Sequence, residues 1–190
     1  MSYIQALLIE NGASEADGTA SYHGRLVSDK VRNGLQYCGD TDLLFVHRDA
    51  DTAGSVARYE EIGRGVSAAG YGGRWVGMVP VRMMEAWLLA DEAAIRRVAG
   101  RPRGTEALDL PKPDQLENLS NPKQTLREVL LKAGAPRGVR RTKRFKADFG
   151  SFLKQLAENL PVGRPLEQIS AWMRFRDDVA AAMGKQLQTD

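Results

Sequence analysis

The chain has a single cysteine, Cys38, in 190 residues. One thiol excludes a disulfide framework and suits a reducing compartment. No apolar run approaches the roughly 20 residues that a membrane-spanning helix needs. The opening Met-Ser-Tyr-Ile-Gln-Ala-Leu-Leu-Ile-Glu lacks the basic region and small-residue cleavage site of a secretory signal, so it reads as a native start running straight into a buried strand. There is no internal repeat, no low-complexity tract, and no Gly-x-x-x-x-Gly-Lys-[Ser/Thr] phosphate loop. These absences point to a soluble, cytoplasmic chain that does not itself bind ATP through such a loop.

What is present is a 43% apolar composition, enough for a core, and a net charge of +3 that conceals an asymmetry. Residues 1–95 carry 8 Lys/Arg against 13 Asp/Glu, a balance of −5; residues 96–190 carry 19 against 11, a balance of +8. An acidic half able to hold metal, beside a basic half able to hold phosphates, suits nucleic-acid chemistry.

Three short apolar runs, Ile4–Ile9, Leu43–Val46 and Trp75–Val79, read as buried parallel strands. Helical spacing marks Tyr22–Tyr37, Ser55–Ala69 and Val81–Ala99. The alternation predicts right-handed βαβ units and an α/β fold with a mostly parallel sheet flanked by helices. After a Pro- and Gly-rich connection at 101–122, helices are expected at Lys123–Ala133, Ala147–Leu160 and Leu166–Met183. The expected organisation is an α/β core over 1–100 and a loop plus helical extension over 101–190, packed together as one domain.

In an open parallel sheet, ligands bind beyond the carboxyl ends of the strands. Glu10 follows the first expected strand, and Asp49 and Asp51 follow the second in His47-Arg48-Asp49-Ala50-Asp51. Crowded carboxylates call for a cation, and hard oxygen ligands suit Mg²⁺ or Mn²⁺. Asp51 alternatively serves as a helix cap or turn former. Glu85, inside the most apolar expected helix, needs either a metal or an ion pair with Arg82; Asp91 reads as a surface charge. His47 is a general base, a soft ligand or a packed strand-end residue; His23 receives no role. Trp87, Trp172 and Phe175 read as core or partner-facing.

Leu8-Ile9-Glu10-Asn11-Gly12, Phe45-Val46-His47-Arg48-Asp49-Ala50-Asp51 and Met84-Glu85-Ala86-Trp87-Leu88-Leu89-Ala90-Asp91 together resemble a TOPRIM-like bacterial family. That family is related to the RloB and overcoming-lysogenisation-defect nucleases of phage-defence islands. The similarity continues through Asn121-Pro122-Lys123 and covers roughly residues 3–135. It implies a TOPRIM-like fold, with Glu10, Asp49 and Asp51 in the acidic metal positions and Glu85 in an additional one. It also implies a separate ATPase partner. The Asn11 between Glu10 and Gly12, and the long polar segment at 13–21, depart from the family's Glu-Gly; Glu15 or Asp17 could share the work of Glu10.

Arg137, Arg140, Arg141, Lys143, Arg144 and Lys146 fall within ten residues, a run that either tracks a phosphate backbone or forms a solvated face. Arg96 and Arg97 suit a helix C-terminus, while Arg101 and Arg103 extend that second basic stretch. Lys123 opens a helix, where a cation is unfavourable, and is assigned to the scissile phosphate. The resulting expectation is a metal-dependent nuclease of an anti-phage system, acting on DNA in preference to RNA, with a homo-oligomer compatible with the sequence. The alternatives are a non-catalytic nucleic-acid-binding or nucleotide-sensing subunit and an RNA- or tRNA-directed toxin.

Overall fold

A computed structural model describes residues 3–18, 24–81, 84–160, 163 and 166–184; His23, Arg82 and the expected Arg82–Glu85 pair lie outside them. The fold is mixed α/β and mostly helical. Contacts divide the chain into two compact units, one of residues 1–6 with 82–172 and one of residues 7–81 with 173–190. The boundary expected from the sequence, between core and extension of one domain, lies near residue 100.

The unit of residues 7–81 holds β1 (Leu44–His47) and β2 (Trp75–Met78), within a residue of the expected runs. They pair in parallel, from Leu44 opposite Trp75 to His47 opposite Met78. The crossover between them is α3 (Ser55–Ala68), which packs on α2 (Val27–Cys38). The core gathers Val27, Val31, Val46, Ala50, Ile62, Val66 and Val79. Each of the larger aliphatic side chains contributes roughly 1.5–3 kcal/mol when fully buried. Gly65 makes the α2–α3 approach possible, since a Cβ there would lie 2.5 Å from Val27 Cβ. The second half of α9 (Ser170–Ala182) joins this unit, with the Arg174 guanidinium 3.8 Å from the Tyr59 ring centroid. Burial and the neighbouring Asp178 carboxylate push the Tyr59 phenol up to about 12.

The first expected strand is instead a helix, α1 (Tyr3–Glu10). Gln, Ala, Leu and Glu are strong helix formers, and an apolar run of six cannot distinguish strand from buried helix by periodicity. Asn11-Gly12, read as a family departure, is the helix stop. The Asn11 side chain donates to Leu7 O at 2.9 Å, and Gly12 takes φ 98° while its N–H reaches Ile9 O. Among the described residues the sheet therefore has two strands rather than three.

The other unit holds α4 (Glu85–Leu88), α5 (Glu92–Val98), α6 (Pro122–Gly134), α7 (Val139–Ala147) and α8 (Phe149–Glu158). The single helix expected over 81–99 is broken by Asp91. That residue is an N-cap, not a bare surface charge: its carboxylate accepts from Ala94 N at 2.9 Å and starts α5 afresh. Trp87 and Trp172 meet edge to face, centroids 5.3 Å apart and fully buried, the core one of the two positions expected of them. The long connection is pinned by buried Leu108 and Leu116.

Candidate functional site

The ladder between the strands continues past β1. Arg48 N donates to Met78 O and Ala50 N to Pro80 O, at 3.1 and 2.9 Å. Alternation then places Val46, Arg48 and Ala50 toward one face and His47 and Asp49 toward the other. His47 Nε2 lies 3.3 Å from Asp49 Oδ1. That oxygen is shielded from solvent and, among the described residues, meets no donor in hydrogen-bond geometry beyond this ion-pair contact, although the Asp49 side chain as a whole is 32% exposed. Two residues on, Asp51 is exposed and takes φ 46°, a left-handed turn that Asp tolerates better than most residues. Its backbone, not a cap, is what the structure uses locally: Asp51 is not the N-cap of α3, a position held by Gly54.

Behind this loop stands an ion network that the sequence reading missed. Arg58 Nε donates to the Asp49 carbonyl at 3.0 Å, fixing the loop from α3. Arg58 and Arg48 also grip the two oxygens of Glu61, at 2.6 and 2.7 Å. Burial pushes the Glu61 carboxyl up, but the Arg58 hydrogen bond and the charges of Arg48 and Arg58 outweigh it and hold it below its ordinary range. The i,i+3 spacing of Arg58 and Glu61 was visible in the sequence; the approach of Arg48 depends on the βα packing.

The remaining expected residues lie on other elements. Glu10 is the exposed last residue of α1, not a strand-end ligand, and Glu15 and Asp17 are exposed, Asp17 accepting from Gly18 N at 2.7 Å. Glu85, half-buried in the first turn of α4, and Lys123, half-buried in the first turn of α6, belong to the other unit. Among the described residues, no three or more His, Cys, Asp or Glu come together in a group able to hold a metal by themselves. Asp49 supplies one carboxylate at the carboxyl end of β1, with the His47 imidazole beside it.

The basic run is largely α7, a helix the sequence reading had not drawn. No residue of α7 is buried, and Arg137, just before it, is exposed as well. Among the described residues none of Arg137, Arg140, Arg141, Lys143 and Arg144 is in an ion pair, whereas Arg96 and Arg101 are engaged by Glu92 and Glu106. Their charges are therefore available to a polyanion. Among the described residues no helix is long and apolar enough to cross a membrane.

No family model, curated protein or solved structure matches the chain.

Proposed function

We propose that the protein is a divalent-metal-dependent nuclease of the TOPRIM-like kind, working in anti-phage defence with a separate ATPase. The observation that carries this reading is the Asp49–His47 pair at the carboxyl end of a parallel strand, where open α/β sheets bind ligands. The shielded Asp49 Oδ1 supports a cation there, because such an oxygen is costly unless something positive meets it, a protonated His47 or a metal. A Mg²⁺ or Mn²⁺ held there would polarise a phosphodiester and make water a stronger nucleophile.

The chain's own residues then have defined tasks. Asp49 supplies the hard oxygen, and His47 either ligates or accepts a proton at Nε2. Asp51 places a second charge on the same loop. Arg58 is a positioning residue, holding the Asp49 backbone while Glu61 neutralises it together with Arg48. The α7 cations hold a phosphate backbone. Glu10 stands at the end of α1, so the cation site is built without it; Glu85 and Lys123 stand in the first turns of α4 and α6.

Purified protein incubated with plasmid DNA and with total tRNA, in EDTA, Mg²⁺ or Mn²⁺, tests the reading beside the Asp49→Ala/Asp51→Ala variant. Metal-dependent cutting lost in the variant is expected. Cutting that persists in EDTA, or equally in the variant, refutes it. The second reading, a nucleic-acid-binding subunit without chemistry, is favoured by the unpaired cations of α7; it predicts binding that survives EDTA and no cutting of either polymer.

A further inference from the structure

In the same unit as α7 lies a groove of about 280 Å³ lined from α6, α7 and α8. Phe145 and Phe152 form part of its wall, their rings 4.7 Å apart and tilted by 46°, and both are only half-buried. Buried Phe149 carries the Arg127 guanidinium 4.6 Å from its ring centroid, which fixes that flat cation at the rim. Lys146 adds a second positive charge from α7 itself. The Glu128 carboxylate, gripped by Gln124 Nε2 at 2.7 Å, lines the groove from α6.

Open aromatic surface beside cations suits one chemistry in particular, a flat ring carried on a phosphate chain. Such surface is left half wet here, and it gains most by stacking on another π-face. The volume lies just below the usual range of ligand pockets, about 300–1,000 Å³, and fits a single planar group rather than a length of polymer. Glu128 repels phosphate from its own end and can accept the amino hydrogens of a base, which leaves the backbone to Lys146 and the α7 cations. A base still paired and stacked within a duplex cannot enter such a groove.

We propose that this groove takes an unpaired base of a single-stranded nucleic acid, with its phosphates along α7. The inference deepens the reading above and rests on its nucleic-acid part, not on its metal chemistry. DNA and RNA strands share the recognised chemistry, and the assay separates them.

The test is fluorescence anisotropy with labelled short oligonucleotides: a DNA strand, an RNA strand of matching sequence, the DNA duplex, and an abasic DNA strand of equal charge. The wild type is expected to bind at least one of the two base-bearing strands roughly tenfold more tightly than the abasic strand. The Phe145→Leu/Phe152→Leu variant is expected to lose that preference while keeping its far-ultraviolet circular dichroism. A 2-aminopurine base in the strand is expected to be quenched by the wild type and not by the variant. Equal affinity of the wild type for base-bearing and abasic strands overturns the inference, as does an unbinding wild type or a folded variant that keeps the full preference. Base-dependent binding without any metal-dependent cutting removes the nuclease reading alone. Cutting without base-dependent binding removes this inference alone.

Discussion

Replacing Glu61 with alanine tests how the Asp49 loop is held. Glu61 joins Arg48 and Arg58 through contacts of 2.7 and 2.6 Å, with its side chain 31% exposed. Hydrogen bonds to charged groups contribute about 1.5–3 kcal/mol each when well buried. Partial exposure screens both and lowers the sum, and removal leaves two arginines facing each other. A net loss of roughly 2 kcal/mol follows, which for a chain of this size lowers the melting temperature by about 4–8 °C. Because the folded carboxyl titrates below its ordinary 4.5, its contribution is fully present above that value and fades as pH falls through the folded pKa. Thermal melts of wild type and Glu61→Ala at neutral pH and at successively lower pH below 4.5 are the assay. The gap between the two proteins is expected to be full at neutral pH and to shrink on acidification. An unchanged melting temperature at neutral pH, or a gap that stays constant on acidification, refutes the reasoning.

Other outcomes follow from single contacts. Asp91→Ala removes the cap of α5 and is expected to cost about 1 kcal/mol in urea denaturation. Gly65→Ala puts a Cβ against Val27 and is expected to cost roughly 1–3 kcal/mol by the same measurement, through separation of α2 from α3. Arg140→Gln/Arg141→Gln/Arg144→Gln is expected to flatten the log–log salt dependence of nucleic-acid affinity by about 2–3 units. Its melting temperature should stay near that of the wild type, because all three arginines are exposed.

What the sequence disclosed depended on how local the signal was. β1, β2 and α3 were legible because alternating strand and helix lengths, closed by Gly70, Gly72 and Gly73, need no tertiary knowledge. The run Ile4–Ile9 was not, since six apolar residues satisfy either geometry and Asn11-Gly12 decides for the helix. That one misreading also displaced Glu10 from the acidic cluster expected of it. Asp49 and His47 were legible as neighbours at i,i+2 beyond a strand, but the Arg58 grip on the Asp49 carbonyl was not, because it crosses from α3. Phe145, Phe149 and Phe152 repeat at helical spacing, yet whether that face is core or groove depends on how α7 and α8 meet.

The central claim is that the loop beyond β1 holds a divalent cation through Asp49. Titration of Mn²⁺ into wild type and into Asp49→Asn/Asp51→Asn, with free Mn²⁺ followed by electron paramagnetic resonance, tests it most directly. The account predicts saturable uptake by the wild type and affinity weakened at least roughly tenfold in the variant, since changes to outer-shell partners alone cost about 10–100-fold. Mn²⁺ uptake that is absent from the wild type, or identical in the two folded proteins, would contradict it.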